Sequence, residues 1–346
     1  MPTREPLVIQ THHPWIGPFA ERDQLYAIER EALQELGLKL TIVGESPDDL
    51  PEDMLRAVDA VLRRGWDFPR ALLERMPALR VISCPGIGVQ NIDLPAAAEL
   101  GVVVANVPYA TAEEVGNHAI TLLLAAARKL VRADRSVRSG SYDWRLAQPV
   151  YSVRGKTLGF VAFGNSARSA AEKMRAFGVK MLAYDPHVDQ ATAEAYSVQM
   201  VELYDLLQRS DFVSIHAPLT AQTRHLLDAA AIAQMKPGAI LIQVSRGGIV
   251  DQLALAEALQ AGRLAAAGID VHETEPPDPA HPLLQLDNVI HTPHYAGYSE
   301  EAFREQKRLA CQTIGRVLDG YWPNWVLNPS VKPKQPLRPY PSESHS

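Results

Sequence analysis

Three ionisable residues in the second half of the chain stand just past apolar runs, and their types are those that proton transfer on a small acid requires. Arg246 lies in Val244-Ser245-Arg246-Gly247-Gly248, after the run Ala239-Ile240-Leu241-Ile242. Glu275 stands five residues past Asp270, which ends Ala266-Ala267-Gly268-Ile269. His294 closes Thr292-Pro293-His294, after Asn288-Val289-Ile290. A guanidinium fork can donate two parallel hydrogen bonds to a carboxylate. An imidazole can move a proton near neutral pH, and a carboxylate on its other nitrogen stabilises the imidazolium that forms. Each residue also has a plainer reading: a helix-start or surface arginine, a solvated loop carboxylate, a satisfied core histidine. Their common placement after strand-like runs, in chain order, points to one reaction.

Side chains placed this way need a scaffold, and the alternation of apolar runs with helical stretches describes one. Leu7 to Ile9, Leu38 to Val43, Ala60 to Leu62 and Leu79 to Ser83 read as strands, with a helix over Leu25 to Leu36 ended by Gly37. That is a small parallel α/β unit ending near Val107-Pro108. Glu113 to Arg135 reads as one long, mostly apolar helix. A second alternation starts at Lys156, with strands expected at Thr157 to Phe163, Lys180 to Tyr184, Asp211 to His216, Ala239 to Val244, Ala265 to Asp270 and Asn288 to His291. Six strands with helical links describe a doubly wound, Rossmann-type sheet. The helix Glu300 to Leu318 is expected to return to the first unit. The predicted division is 1–108 with 296–328 as a discontinuous substrate-binding domain, 109–295 as a dinucleotide-binding domain, and an unstructured tail from 329 to 346. The fold class is α/β, with two Rossmann-like doubly wound parallel-sheet domains.

Between the first two strands of the second unit, Ala162-Phe163-Gly164-Asn165-Ser166-Ala167 keeps only the central glycine of GxGxxG. A strand precedes the loop and a helix follows it. Asp185 ends the next strand, 21 residues after Gly164, where a carboxylate binds the ribose hydroxyls of NAD and repels the extra phosphate of NADP. The plainer reading is an ordinary βαβ unit with an aspartate in the turn before Pro186. A methyl at Ala167 is expected to push the helix start away from the phosphates. His216 ends a strand on the same face and is placed to line the site.

The 346 residues are 47% hydrophobic and 21% charged, enough for two domains, and the net charge of −6 argues against a nucleic-acid surface. Two cysteines, Cys84 and Cys311, build no disulfide framework and suit a reduced cytoplasmic setting. No apolar stretch follows the N-terminus, so no signal peptide is expected. The longest apolar run, Ala119 to Ala127, is far short of the ~20 residues of a membrane span. His12-His13 lacks an evident third ligand, and no metal site is expected. Cys84 reads as a small buried residue, not a nucleophile.

From about Arg80 to Asn328 the chain resembles the D-isomer-specific 2-hydroxyacid dehydrogenases. The matching segments are Gly86-Ile87-Gly88 with Asn91-Ile92-Asp93, Glu113-Glu114-Val115, Gly155-Lys156-Thr157-Leu158-Gly159, His216-Ala217-Pro218-Leu219-Thr220, Met235-Lys236-Pro237-Gly238-Ala239, Ser245-Arg246-Gly247-Gly248, Asp270 to Glu275, and Thr292-Pro293-His294. Asn106-Val107-Pro108 and Tyr298-Ser299-Glu300 are most similar to the branch that includes the C-terminal-binding-protein corepressors and their bacterial relatives. The resemblance implies an inter-domain active-site cleft, a 2-keto or 2-hydroxy acid as the small-molecule partner, NAD as cofactor and a homodimer. It implies that Arg246 binds substrate, that His294 is the acid/base with Glu275 as its partner, and that the backbone at Gly86, Ile87 and Gly88 cradles the carboxylate. It implies cofactor contacts from Gly164, Asn165, Ser166, Asp185, Pro186, His216, Ala217, Pro218, Thr223, Val244, Ser245, Asp270, His294 and Gly297, with Asp270 facing the nicotinamide carboxamide. Ala162 and Ala167 depart from the family's glycines, Asn165 from its common arginine and Gly297 from a bulkier residue. The function expected is hydride transfer between a 2-hydroxy acid and NAD. The other reading is an NAD(H)-sensing, dehydrogenase-like regulator with little turnover.

Overall fold

The computed structural model describes residues 4–12 and 21–341, and by internal contacts the chain divides into two compact units, Met1–Ala110 with Glu300–Ser346 and Thr111–Ser299. In the first unit, β1 (Leu7–Gln10), β2 (Leu40–Ile42), β3 (Val58–Leu62), β4 (Val81–Cys84) and β5 (Val103–Asn106) form a parallel sheet of order β2-β1-β3-β4-β5. Alternate residues face opposite layers, as the period of a strand demands. Val8, Val81 and Val103 join a core with Leu33, Ala310 and Ile314, from the helices Ala27–Glu35 and Glu300–Leu318. Their neighbours Ile9, Ile82 and Val104 join another with Leu55, Leu72, Leu73 and Ala96, from three short helices on the other face.

The second unit has seven parallel strands in the order β12-β11-β10-β9-β6-β7-β8. They are β6 (Thr157–Val161), β7 (Lys180–Tyr184), β8 (Val198–Met200), β9 (Phe212–Ile215), β10 (Ile240–Gln243), β11 (Ala266–Ile269) and β12 (Val289–His291). This is the doubly wound order, with its reversal between β6 and β9. Ligands bind such sheets outside the carboxyl ends of the strands at the reversal, which is where the Gly164 loop and His216 stand. β8 is the strand that six apolar runs had not supplied: it is an edge strand of three residues with Gln199 exposed.

Three expectations change. The single helix over Glu113 to Arg135 is two, Ala112–Ala127 and Leu130–Arg138, broken where Lys129 turns left-handed at φ 51°. The helix over Leu25 to Leu36 is likewise interrupted at Tyr26, giving Arg22–Leu25 and Ala27–Glu35. The tail from 329 is ordered through residue 341. Val331 is buried in the first core, Lys334 donates to the carbonyls of Pro77 and Leu79 at 2.8 Å, and the Arg316 guanidinium lies 3.8 Å from the Tyr340 ring centroid. A proline- and lysine-rich composition therefore does not prevent docking when its few apolar groups and cations each find a carbonyl or ring. His13 lies outside the described residues. Among the described residues no helix is long and apolar enough to cross a membrane.

Candidate active site

The Arg246 loop leaves the end of β10 and is held by that strand's last residue. Gln243 is fully buried. Its Nε2 donates to the Arg246 carbonyl at 2.7 Å, and its Oε1 accepts from Ser245 Oγ at 3.1 Å. One Arg246 nitrogen donates to the Ser245 carbonyl at 2.6 Å, and no carboxylate among the described residues bonds to the fork. Burial lowers the Arg246 pKa from its ordinary value, and the Glu275 charge opposes that shift. The next residue, Gly247, lies directly on the following loop: a Cβ there would collide with the His272 carbonyl group and the Glu273 nitrogen. Only a residue without a side chain allows these two loops to touch.

That second loop leaves β11 and carries Glu275. One carboxylate oxygen accepts from the His272 amide at 2.9 Å, and the other meets His294 Nδ1 at 2.6 Å. Burial by itself would raise the Glu275 carboxyl. The hydrogen bonds from His294 and from the His272 amide outweigh it and hold the group below the ordinary carboxylate range. With Nδ1 taken, His294 presents Nε2 from a half-exposed ring, on which no described residue forms a hydrogen bond. His294 sits at φ 52°, a left-handed conformation, with its own amide donating to the Asp270 carbonyl at 2.8 Å.

Asp270 is wholly buried, and its carboxylate accepts from Thr292 Oγ1 at 2.6 Å, the Tyr295 amide at 3.1 Å and the Ala296 amide at 3.0 Å. What the residue does here is fold the His294 loop. His118, from the helix Ala112–Ala127, completes the network with Nε2 3.0 Å from Thr292 Oγ1 and 3.6 Å from Asp270, and burial lowers its pKa against the pull of that carboxylate.

At the other side of this sheet, Ala162 turns left-handed at φ 67° after β6. The Phe163 amide donates to Asp185 Oδ2 at 2.9 Å, and the His187 amide donates to Oδ1 at 2.8 Å, which fixes Asp185 beside the loop. Gly164 caps the helix Asn165–Met174 without a side chain, and nothing lies within 4 Å of where its Cβ would be. The first-turn amides lack partners inside the helix and carry partial positive charge, which suits a phosphate group. Ser166 Oγ is 2.9 Å from His216 Nδ1, and Ser214 Oγ is 2.9 Å from His216 Nε2. Burial pushes the His216 pKa down to about 3. Pro186 and Pro218 are exposed, Ala217 and Val244 are buried, and Thr223 organises its turn by donating to the Pro218 carbonyl at 2.6 Å. Gly297 packs against Thr111, whose Cβ would lie 3.1 Å from an added methyl.

In the first unit, the carbonyls of the Gly86–Gly88 loop are held from behind: Asn106 Nδ2 donates to Ile87 O at 3.1 Å and Arg63 donates to Gly88 O at 3.4 Å. None of the three amides bonds to a described residue, which suits an anion cradle. Both cysteines are buried, and burial raises Cys84 to about 11 and Cys311 to about 12.

Spacing alone had not singled out Gln243, Thr292, His118, Asn106, Ser214 or Arg168, whose Nε donates to the Phe163 carbonyl at 3.0 Å. The strand alternation that puts Ser214 and His216 on one side was the one available signal.

Comparison with known proteins follows the same lines. Residues 120–296 match the pattern described as D-isomer specific 2-hydroxyacid dehydrogenase, NAD binding domain. The chain is 36% identical over 322 residues to D-3-phosphoglycerate dehydrogenase of Methanocaldococcus jannaschii, covering 92% of this chain and 61% of that protein. It thus spans about three fifths of the length of that curated relative. It is 36% identical to hydroxypyruvate reductase of Thermotoga maritima, covering 84% of this chain and 94% of that one. Among solved structures it superposes with a TM-score of 0.78 on D-lactate dehydrogenase from Aquifex aeolicus complexed with NAD and lactic acid, at 27% identity over 90% of this chain and 96% of the other. With that breadth of likeness in sequence and fold, the chain belongs to the D-isomer specific 2-hydroxyacid dehydrogenase family.

Proposed function

We propose that this protein is an NAD-dependent oxidoreductase that interconverts a 2-hydroxy acid and a 2-keto acid. The observation that carries the reading is the 2.6 Å bond that His294 Nδ1 donates to Glu275, which leaves Nε2 for a substrate oxygen. In the reducing direction, the Arg246 fork binds the substrate carboxylate; the amides of Gly86, Ile87 and Gly88 are the first unit's candidate anion cradle. Bound NADH supplies the hydride. His294 Nε2 gives its proton to the carbonyl oxygen, and Glu275 stabilises the imidazolium before that transfer. Asp185 binds the adenosine ribose and disfavours NADP. Relatives named hydroxypyruvate reductase and glyoxylate reductase support turnover over the regulator reading. The test is NADH oxidation over a panel of 2-keto acids that includes hydroxypyruvate and glyoxylate. Turnover of at least one acid, with NADH preferred to NADPH, is expected. NADH binding without turnover of any acid would establish the regulator.

A homodimer completes this reading. Tyr142, Trp144 and Tyr151 are 84%, 74% and 67% exposed, and Leu130 and Val137 of the helix Leu130–Arg138 are exposed as well, apolar groups that a second copy of the chain would cover. Sedimentation of wild type against Trp144→Glu tests it, since a dimer through this surface weakens in the variant. The two buried thiols fit a reducing compartment such as the cytoplasm.

A further inference from the structure

The hydroxyl of Ser166 stands in the first turn of the helix that receives the pyrophosphate, and its Oγ is 2.9 Å from His216 Nδ1. The other ring nitrogen is 2.9 Å from Oγ of Ser214, itself buried at the end of β9. The ring is fixed in place: the His216 amide donates to the Val161 carbonyl at 2.9 Å, and the Phe160 ring centroid lies 5.8 Å from the imidazole. A neutral imidazole has one donor and one acceptor, so only two arrangements satisfy both serines. In one, Nε2–H donates to Ser214 and Ser166 spends its proton on Nδ1, leaving oxygen lone pairs toward the cofactor. In the other, Ser214 donates to Nε2, Nδ1–H donates to Ser166 Oγ, and the Ser166 proton is left to point outward.

We propose that Ser214, His216 and Ser166 form a hydrogen-bond relay that presents the Ser166 hydroxyl as a donor to the pyrophosphate of the bound dinucleotide. An anion beside Ser166 selects the second arrangement, because lone pairs facing phosphate oxygens repel them. A ring that stays neutral across the physiological range, as burial ensures here, makes this a choice of tautomer and not of charge. The relay gives the loop a side-chain donor in addition to its backbone amides. His216 is thus a positioning residue. The proposal rests on the dinucleotide assignment to this loop and is independent of which acid the enzyme takes.

The test combines nitrogen-15 NMR of histidine-labelled protein with fluorescence titration of NADH. The ring resonances are assigned by their loss in His216→Asn. In the NADH complex, Nδ1 should carry the proton and Nε2 should not; the opposite tautomer in the complex overturns the relay. Ser166→Ala should raise the Kd for NADH about tenfold, and Ser214→Ala about threefold by releasing the ring to the other tautomer. Ser166→Thr, which keeps the hydroxyl, should stay within about twofold. Equal Kd for wild type and a folded Ser166→Ala, judged by near-ultraviolet circular dichroism, overturns the relay and leaves the dinucleotide assignment standing. A wild type that binds no NADH overturns both.

Discussion

His294 holds a backbone conformation that costs a non-glycine residue about 1–3 kcal/mol, and the surrounding bonds explain why it persists. The Asp270 carbonyl takes its amide, and the Asp270 carboxylate takes the next two amides, so the loop is over-determined at φ 52°. Asparagine adopts this region readily. His294→Asn should therefore leave the loop and NADH binding intact while removing the proton donor, with kcat falling about 10²–10⁴-fold. Steady-state kinetics beside NADH titration checks it, and retention of more than a tenth of wild-type kcat sinks the assignment. The partner carboxylate gives a pH prediction. Glu275 lies below its ordinary value of 4.5, so its charge contributes stability that is present above that pH and lost as pH falls through the depressed value. Glu275→Gln should thus narrow the stability difference from wild type only below pH 4.5, as a series of melts across pH would read. The charged members of this site were legible in the sequence because each follows a strand end. Gln243 and Thr292 were not, because a neutral residue that works by holding a neighbouring loop leaves no mark in spacing.

At the scale of elements, the nucleotide loop shows how two glycines can be absent without loss of the fold. The first position keeps the left-handed turn with alanine, which costs about 1–2 kcal/mol. Ala162→Gly should relieve that strain, offset by the unfolded-state entropy of glycine, for a net gain of up to about 1 kcal/mol. The third position was expected to push the helix outward. Ala167 is fully buried in the core of that unit, and a close approach of helix on helix occurs at Gly116, where a Cβ would meet Ser169 Oγ at 2.6 Å and Ser166 O at 3.0 Å. Ala167→Gly should accordingly destabilise by about 1 kcal/mol, through a small void and the cost of glycine inside a helix. Denaturant melts of both variants decide it: a stabilising Ala167→Gly would show that the methyl strains the junction. Long apolar alternation made the parallel strands readable. The three-residue β8, the break at Lys129 and the docked tail were not, since each depends on tertiary contacts that local pattern does not carry.

For the molecule as a whole, neutral histidines set the acid limit. His216 is pushed from 6.5 to about 3, and burial lowers His118, His272 and His291 as well. Between those pH values the unfolded chain binds a proton at His216 that the folded chain does not, so stability falls as pH falls, by at most about 1.4 kcal/mol per pH unit from this group. His216→Asn should flatten that dependence between pH 6.5 and 3. An unchanged slope in calorimetric melts would show that the ring is protonated in the folded state. The two-unit α/β architecture was readable from chain length and alternation, whereas the seam between the Arg246 and Glu275 loops was not. At that seam Gly247 lies against the His272 backbone. The two loops therefore behave as a single gauge block, and His294 is tied to it through its bond to Glu275: in the proposed reaction, the grip on the carboxylate and the proton source keep a set distance, whatever the rest of the substrate looks like. Such a gauge measures the separation between acid and ketone and ignores the tail. Variation in the side chain of a 2-keto acid should therefore act mainly on KM. A 3-keto acid, longer by one carbon between the two groups, should lose kcat itself by at least about a hundredfold, because a misplacement of about 1 Å is enough to cost that much.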